Sequence, residues 1–423
     1  MSAQIEGLVE TILPGGDGIV RHNQTDIFIS HVVAGDFIRF QPMQKRRGVL
    51  RGELLEVITP SKQRIAPPCS VAAVCGGCAL QAMNQSAQAD LKNTWVQDAF
   101  KHAITDATDI IPLQTQNFQF AGRRRVRWFI ENGKLGFRKR LSHQIVSTSQ
   151  CVALSQSLDA LRQQLESLLT LLPEHVQSIQ AIELDNGTHL ILESEASLPL
   201  DIEAFDIPSV QWWWRKLNTP SIKPINRPVL PLFDAINLQP YANKNMNQQI
   251  NIQIGPNDFV QGHQQGNQTL VNQILDWSAG SQRVVDFFSG CGNLSLPIAA
   301  AFGAEITGAE LNSHSVAAAN QNAKRLKLHA NYQTIDLFGK FKIEPFVGAD
   351  TLIIDPPRKG AKNICNRIAQ LFPKQVIMVN CDSAAGSRDA KALSQAGFKL
   401  KALRPLDLFP YTGHVEVLSL WSI

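Results

Sequence analysis

The sequence predicts an α/β protein whose C-terminal part is a doubly wound, Rossmann-like domain, preceded by a small β-barrel and an α+β central domain. At 423 residues the chain is too long for one compact core. Residues 284–299 form a short apolar run ending in an acid, then a glycine-spaced turn, then an apolar run of helical spacing, as in a doubly wound sheet. Residues 1–60 instead hold five short, partly β-branched runs between polar turns, as in a barrel. We therefore predict domains at 1–60, 61–245 and 246–423.

Composition and charge limit the classes of function. The chain is 44% hydrophobic and 18% charged, as expected of a globular protein, and its formal charge of +4 does not by itself demand an acidic partner. No apolar run approaches the length of a membrane span, and the first residues lack a basic stretch followed by an apolar one. We expect a cytoplasmic monomer that does not associate with membranes.

The predicted barrel carries a basic cluster. Gly-Asp-Gly-Ile-Val-Arg-His at 16–22 and Ala-Gly-Asp at 34–36 resemble the TRAM domain, an RNA-binding barrel appended to several RNA-modifying enzymes. The basic residues near its end either contact phosphates or form a solvated hairpin tip. They are Lys45, Arg46, Arg47 and Arg51.

Four of the seven cysteines lie at or near metal-ligand spacing, namely Cys69, Cys75, Cys78 and Cys151. The Cys-Gly-Gly-Cys turn gives two thiolates a short bite, and in a cytoplasmic protein this grouping indicates a metal site rather than disulfides. Four thiolates suit either tetrahedral zinc or an iron–sulfur cluster. The spacing is not that of a radical cluster with an open iron, so we expect a closed structural site. The alternative is a set of incidental buried thiols.

A basic run covers residues 123–140, with eight lysines and arginines in eighteen positions. On alternating strands its arginines would share one face, with Trp128 and Phe137 close enough to stack on unpaired bases. This combination predicts binding of single-stranded RNA, although charge runs often form solvated faces. Further along, the patterns predict strands at 181–192 and 210–216 and a linker at 218–251.

The glycine-spaced loop predicts a bound nucleoside cofactor. Gly290 and Gly292 allow a sharp turn and close approach of the backbone to a ligand. Glu310 ends the next predicted strand, twenty positions after Gly290, where an acid can bind ribose hydroxyls. The full three-glycine pattern of a dinucleotide site is missing, and the charge of Asp286 would repel a pyrophosphate but suit a cation. These features favour S-adenosylmethionine, and the alternative is an ordinary strand-to-helix turn.

Three further side chains are placed to meet this cofactor. Gln261 precedes a predicted helix and can reach the methionine end, and Asp336 near the end of the third strand can meet the adenine amine. Asp355 ends an apolar strand. The two prolines that follow it make a rigid, narrow loop of the kind common in methyltransferases that act on planar bases.

Cys381 follows the next predicted strand, so its thiol is expected at the same edge of the sheet. Thiolate addition to carbon 6 of a uracil would make carbon 5 able to attack a sulfonium methyl group, and a base must then remove the carbon 5 proton. Glu416 is the candidate base. Methylation of an adenine amine would need no thiol, and an inert core thiol is the remaining alternative.

These motifs together resemble the class I RNA (uracil-5-)-methyltransferases. The matching segments are Asp-Phe-Phe-Ser-Gly-Cys-Gly-Asn at 286–293, Asp-Pro-Pro-Arg-Lys-Gly at 355–360, the cysteine with Ser-Arg-Asp at 387–389, and Phe-Pro-Tyr-Thr-Gly-His-Val-Glu at 409–416. The resemblance implies that Cys381 is the nucleophile and Glu416 the base, and that the four cysteines hold a [4Fe–4S] cluster. The implied S-adenosylmethionine contacts are Gln261, Phe288, Asn293, Glu310, Asp336 and Asp355.

The barrel and the cysteines make the chain most similar to the members that methylate one uridine of 23S rRNA, with tRNA as the alternative substrate. Two segments depart from the family pattern. Asp382 places a carboxylate beside Cys381, which would raise the pKa of the thiol, and Gly-His at 262–263 replaces Val-Asn near the cofactor. Asp382 favours a non-catalytic RNA-binding or assembly protein, whereas the intact pair Cys381 and Glu416 favours the enzyme.

Overall fold

The computed structural model describes residues 4–45, 48–113, 121–196, 207–219, 221–225, 229–241 and 248–423. Its N-terminal unit is a six-stranded sheet. The strands are β1 (Ile5–Leu8), β2 (Thr11–Ile12), β3 (Gly18–His22), β4 (Thr25–Ile29), β5 (Phe37–Pro42) and β6 (Leu50–Thr59). They are arranged in the order β1-β5-β6-β4-β3-β2.

This sheet closes on itself because its two outer strands are consecutive in the chain. Only Val9 and Glu10 separate β1 from β2, and the Glu10 N–H donates to the carbonyl of Ile19 in β3 at 2.9 Å. The first of the five predicted strands is thus two strands with different partners. Fully buried side chains such as Ile29 and Phe40 fill the interior. The N-terminal unit is therefore barrel-like, as predicted.

The segment after the cysteine loop packs on the C-terminal domain, although it lies in the range predicted for the central domain. Helix α1 (Gln85–Phe100) begins after Asn84, whose side chain accepts the N–H of Ala87. Strand β7 (Asp109–Ile110) joins the edge of the C-terminal sheet. Within the described ranges, no helix is long and apolar enough to cross a membrane.

The central domain is a seven-stranded sheet covered by one helix. Its strands are β8 (Arg125–Glu131), β9 (Lys134–Arg138), β10 (Ile145–Val146), β11 (Val176–Leu184), β12 (Gly187–Ser194), β13 (Val210–Lys216) and β14 (Ile222–Pro224), in the order β10-β9-β8-β11-β12-β13-β14. Helix α2 (Gln156–Leu168) buries Leu158, Leu161 and Leu165 in a core that also contains Trp128 and Trp212.

Two expectations for this region are wrong. The predicted strand 181–192 is interrupted by a turn at Asp185 and Asn186, which have the short polar side chains that favour turns, and it therefore belongs to both β11 and β12. The predicted linker 218–251 contains most of a hairpin of β15 (Leu232–Asn237) and β16 (Gln249–Ile254). Alternate residues of β15 are buried, including Asp234, whose charge disguised the strand pattern.

The C-terminal domain is a doubly wound sheet with the order β19-β18-β17-β20-β21-β23-β22-β7. Its remaining strands are β17 (Arg283–Phe287), β18 (Glu305–Glu310), β19 (Ala330–Thr334), β20 (Thr351–Ile354), β21 (Gln375–Asn380), β22 (Lys399–Leu406) and β23 (Glu416–Ser422). Its helices are α3 (Gln264–Ser278), α4 (Leu296–Phe302), α5 (Ser313–Leu326), α6 (Lys362–Cys365), α7 (Ile368–Leu371) and α8 (Ser383–Gln395). Strands β17 to β21 are parallel, and β23 is antiparallel to both its neighbours. The carboxyl ends of β17, β18, β20 and β21 and the start of β23 therefore share one edge.

Candidate active site

A cavity of about 490 Å³ opens at this edge of the C-terminal sheet. Its volume lies within the range of sites that bind small molecules. Most of its wall is apolar, and the polar and reactive groups come from the ends of several strands. The predicted site residues that line it are Gln261, Phe288, Glu310, Asp355, Cys381 and Glu416.

The glycine-spaced loop has the conformation that its sequence predicts. Gly290 and Gly292 have φ values of +53° and +89°, and a Cβ on Gly292 would lie 2.7 Å from Leu296. The Gly290 N–H donates to Glu310 at 3.3 Å, and the other carboxylate oxygen of Glu310 accepts the Asn312 N–H at 2.8 Å. Glu310 is thus held against the loop, beside the cavity.

Asp286 lies under the loop, fully buried, and is only partly hydrogen-bonded. One carboxylate oxygen accepts the Ser295 hydroxyl at 2.5 Å, while the other has no partner among the described residues. The nearby Ser289 hydroxyl is also buried without a partner. Burial raises the pKa of Asp286 to about 7. A cation beside it would favour the anionic form, so the loop presents unsatisfied polar groups suited to a cationic ligand.

Two predicted cofactor contacts do not line this cavity. Asn293 lines a smaller space beside it and exchanges hydrogen bonds with Asn267 at 3.0 and 2.8 Å. Asp336 is exposed, and its carboxylate accepts the N–H of Phe338 at 2.9 Å. Its neighbours Ile335 and Leu337, rather than Asp336 itself, form the wall.

The candidate nucleophile and base are neighbours on adjacent strands. Asn380 pairs with Val417, so Cys381 follows β21 at the level where Glu416 begins β23. Glu416 is buried, and burial raises its pKa to about 7. Burial also raises the pKa of Cys381 to about 11, the charges of Glu416 and Asp355 add to this effect, and Arg358 opposes it.

Asp355 completes a group of acids that faces the thiol. Its pKa is raised well above the ordinary value by burial, and the charges of Glu416, Asp286 and Glu310 raise it further. No ion pair joins Asp355 or Glu416 to a cation in the described part of the chain. The cavity therefore gathers acids whose ionised forms a cationic ligand would stabilise, and Arg358 contributes a positive charge to its wall.

The two departures from the family pattern have structural explanations. Asp382 is the N-cap of α8, and its carboxylate accepts the Ala385 N–H at 2.7 Å. It is thus engaged by the helix, and the main causes that raise the pKa of Cys381 are burial and the charges of Glu416 and Asp355. His263 is the N-cap of α3 and accepts the Gly266 N–H at 2.9 Å. A Cβ at Gly262 would lie 2.7 Å from the Phe409 ring, so the glycine makes room for that side chain.

Sequence reasoning missed Lys92, which supports the part of the cavity wall formed by Phe409. Lys92 in α1 is fully buried, forms a 2.7 Å ion pair with Asp407 and lies 3.4 Å from the carbonyl of Phe409. The Phe409 ring meets that of His414 edge-on, and both side chains line the cavity. Phe409 and His414 lie in the motif at 409–416, of which only Glu416 was predicted as a site residue. No local signal separates Lys92 from an ordinary surface lysine of a helix.

The four cysteines come together where the cysteine loop, the central domain and the segment before β23 meet. Cys69 and Cys78 pack against Tyr411. Burial raises the pKa of Cys151 to about 12, and the nearby thiols of Cys78 and Cys69 raise it further. The charge of Cys69 likewise raises the pKa of Cys75, after burial as the main cause. Across the described ranges, no three His, Cys, Asp or Glu side chains form a group that could hold a metal ion.

The predicted RNA-binding run is only partly available. Trp128 is fully buried in the core, so it cannot stack on a base, and Phe137 packs against the same core. Alternation along β8 directs Trp128 inwards, a direction that the sequence left open. Arg124 is also buried, where it pairs with Asp234 at 2.5 Å. Arg127 remains exposed.

Phe259 is the exposed aromatic ring beside the cavity, and sequence reasoning missed it. Its side chain is 57% exposed, and Arg125 lies 5.6 Å from the ring centroid. In the barrel, Arg51 pairs with Asp17 at 2.8 Å, while Lys45 is exposed. The predicted phosphate contacts Arg46 and Arg47 lie outside the described residues.

Comparison with known proteins agrees with this geometry. The family model described as a methyltransferase small domain matches residues 256–376. The 23S rRNA (uracil(1939)-C(5))-methyltransferase RlmD of Shewanella halifaxensis is 31% identical, with 96% of this chain and 93% of that protein covered. The enzyme of the same name from Vibrio vulnificus is 30% identical, with 98% and 95% covered.

A solved structure has the same fold over nearly the whole chain. It is the Pyrococcus abyssi tRNA (uracil-54, C5)-methyltransferase in complex with S-adenosyl-L-homocysteine, with a TM-score of 0.78, 18% identity and coverage of 99% of this chain and 100% of that one. At this identity the match concerns the fold alone. Because the Shewanella and Vibrio relatives are at least 30% identical over almost the full length, the chain belongs to the family of S-adenosylmethionine-dependent RNA (uracil-C5)-methyltransferases.

Proposed function

We propose that this enzyme methylates carbon 5 of one uridine in 23S rRNA. The observation that carries the proposal is the placement of Cys381 and Glu416 on adjacent strands in the wall of the cavity beside the glycine loop. The curated relatives with about 30% identity are named for this reaction on 23S rRNA.

The residues of the cavity fit S-adenosylmethionine. The unpartnered oxygen of Asp286, the unpartnered hydroxyl of Ser289 and the acids Glu310 and Asp355 surround the space above the loop. Such a set favours a ligand with cationic and hydroxyl groups. We assign Gln261, Phe288, Glu310 and Asp355, which line the cavity, as its contacts. The resemblance adds Asn293 and Asp336, which lie beside the cavity, as further proposed contacts. When bound, the cofactor supplies a methyl group on a positively charged sulfur.

The chain's own residues would then perform covalent catalysis. The Cys381 thiolate adds to carbon 6 of the uracil, which makes carbon 5 nucleophilic. Once carbon 5 carries the methyl group, Glu416 removes its proton, and the electrons of that bond expel the thiolate. The charge of Arg358 lowers the pKa of Cys381 and so favours the thiolate. The positively charged sulfur of a bound cofactor would favour it in the same way. Extruding the uridine from its stack costs roughly a few kcal/mol, which RNA contacts must offset.

The alternative of a non-catalytic assembly protein rested on Asp382. That carboxylate caps α8, so it has a structural role beside the nucleophile, and the intact pair Cys381 and Glu416 favours the enzyme. The experiment is transfer of label from S-adenosylmethionine to 23S rRNA fragments and to unmodified tRNA, with digestion to nucleosides. We expect 5-methyluridine in the rRNA only and none with Cys381→Ala. Label in tRNA alone would change the substrate, and label in neither RNA despite binding would support the assembly protein.

We further propose that Cys69, Cys75, Cys78 and Cys151 hold a [4Fe–4S] cluster. Support comes from the donor set, which is four thiols gathered from two distant segments at a site lined by apolar side chains. A cubane is larger than a single ion, so its ligands stand further apart than those of a mononuclear site. Anaerobic reconstitution should give four iron and four sulfide per chain. Cys78→Ser should lose them, whereas Cys365→Ser, at a buried cysteine in a different core, should not.

The barrel and the exposed basic residues Arg127 and Lys139 of the central domain are proposed to bind RNA, the barrel in the manner of a TRAM domain. Action as a monomer stays a prediction from the sequence. Equilibrium sedimentation with and without RNA tests the oligomeric state. A cytoplasmic location stays a prediction from the sequence.

A further inference from the structure

One rim of the active-site cavity is formed by two loops rich in cations, at residues 338–342 and 358–362. Their basic side chains are exposed, and none forms an ion pair within the described part of the chain. Two acids next to these loops are engaged by backbone donors, Asp336 by the Phe338 N–H and Asp389 by the Ala361 N–H. We call the following five residues the basic rim: Lys340, Lys342, Arg358, Lys359 and Lys362.

A second, open cavity of about 340 Å³ lies between these two loops. Lys359 and Lys362 line it, together with the amide side chains of Asn363 and Asn366. Phe338 lines both this cavity and the active-site cavity. The second cavity is therefore a direct neighbour of the place where the target base reacts.

The key cation of this cavity is held in place before any ligand arrives. The Lys359 ammonium lies 3.2 Å from the centroid of the Phe338 ring, in a cation–π contact. The ring is in turn supported by Phe288, 5.4 Å away. Asn363 donates to the carbonyls of Leu337 and Gly339 at 3.0 Å, which fixes the loop. A preorganised cation loses less conformational entropy on binding than a free surface lysine.

We propose that the basic rim binds the phosphodiester backbone of the RNA next to the target uridine. The inference rests on the proposed function, because it takes RNA as the ligand of the adjacent cavity. Cations without ion-pair partners lie beside the cavity where the base reacts. Their charge is complementary to that of RNA, which carries one negative charge per nucleotide. Phosphate contacts fix the register of the nucleic acid and leave sequence recognition to other groups. The rim would thus position the strand on the catalytic domain itself.

The test compares the double variant Lys359→Gln/Lys362→Gln with the wild type over a series of salt concentrations. Each phosphate contact to a single strand contributes about 0.7 to the slope of log affinity against log salt, so two lost contacts lower the slope by about 1.4. At physiological salt this corresponds to binding about tenfold weaker. We expect kcat at saturating RNA to stay within about twofold and S-adenosylmethionine binding to be unchanged, because neither lysine lines the active-site cavity.

The matched control is Lys324→Gln/Lys399→Gln, which removes the same charge from the end of α5 and the start of β22, away from both cavities. Its salt slope should match that of the wild type. An unchanged slope in the rim variant, or an equal loss in the control, would overturn the proposal. If the wild type binds RNA but methylates none, the proposed function fails. The affinity comparison then still tests whether the basic rim binds RNA. If the wild type binds no RNA, both fail, and an acidic protein surface becomes the ligand to examine.

Discussion

Two sets of buried acids in this protein have opposite surroundings. In the barrel, Asp36 is fully buried, yet its carboxylate accepts the N–H groups of Val33 at 2.6 Å and Ser61 at 2.9 Å and pairs with Arg64 at 2.7 Å. In the catalytic domain, Glu416 and Asp355 have no cationic partner in the described ranges. Burial alone would raise the pKa of Asp36, but the bonds from Arg64 and the two N–H groups outweigh it and lower that pKa.

The contrast distinguishes an acid that stabilises the fold through its partners from acids that have no partner until a ligand binds. A matched carboxylate stabilises the folded chain in its charged form, whereas an unmatched one makes the charged folded chain less stable. Such a destabilising acid is retained where its charge or its proton is needed for function. Acids with a shifted pKa are therefore common at functional sites. Variants of the two sets should therefore change stability in opposite directions.

Glu416→Gln should have the largest effect and tests the unmatched set. The amide keeps the size of the side chain but cannot accept the carbon 5 proton, so we expect kcat to fall by about 10²–10⁴-fold. Because it also removes a buried charge whose pKa is raised from 4.5 to about 7, the free energy of unfolding at about pH 8 should rise by about 1–3 kcal/mol. Single-turnover methylation and urea unfolding measure the two quantities. Loss of both activity and stability would contradict the comparison.

Asp36→Asn tests the matched set and should act on stability alone. Removing one partner of a buried ion pair leaves Arg64 without its counter-charge, which typically costs about 3–5 kcal/mol. The pKa of Asp36 is lowered, so its contribution is present above the ordinary value of 3.8 and is lost as the pH falls below it. The difference between wild type and variant in urea unfolding should therefore shrink in acid.

The control for this variant is Asp26→Asn in the same barrel. Asp26 pairs with Arg21 at 2.9 Å, but both side chains are largely exposed, and we expect a change within about 0.5 kcal/mol. Methylation by folded Asp36→Asn at low temperature should have the wild-type kcat. A fall in kcat with unchanged stability would mean that Asp36 takes part in the reaction.

The pH dependence should show the unmatched acid directly, with an effect of about tenfold per pH unit. Glu416 must be ionised to act as the base, and its pKa is about 7. In a plot of the logarithm of the single-turnover rate against pH, the slope below about pH 7 should therefore be larger by one than the slope above it. Stability should change the other way, because the folded pKa is raised. The contribution of Glu416 is complete below about 4.5 and is lost as the pH rises through about 7.

Glu416→Gln provides the control for this profile. Its rate should lack the steeper limb, while the rise caused by ionisation of Cys381 remains. Its unfolding free energy should also lack the decline between about pH 4.5 and 7. An identical rate profile for both proteins would show that another group supplies the base.

Asp382→Asn should have the smallest effect, although this acid is next to the nucleophile in sequence. Asparagine caps helices as well as aspartate does, so α8 should keep its start, and burial with the charges of Glu416 and Asp355 should still set the pKa of Cys381. We expect kcat within about threefold of the wild type. Asp382→Ala, which loses the cap, should cost about 0.5–2 kcal/mol of stability. A large gain in rate with Asp382→Asn would mean that its charge does suppress the thiolate.

Local patterns predicted the elements and the edge of the sheet that carries the site. The strand predicted before Cys381 is observed at Gln375–Asn380, and the acids and thiol that follow strands gather at one edge because parallel strands end there together. Where the local pattern was ambiguous, the predictions were wrong. Trp128 in a basic run became a core residue, and the charged Asp234 in a supposed linker became the partner of Arg124.

The sequence by itself determined the family, and it predicted the domains and the residues that can react, because these depend on residue types and spacings within short segments. Only the tertiary structure decided which charges are matched. Arg64 meets Asp36, and Lys92 supports Phe409, across 28 and 317 positions of the chain. The capping role of Asp382 and the approach of the two cation-rich loops likewise depend on three-dimensional packing. A charge has its effect through the groups that surround it in space, and a linear pattern does not contain those distances.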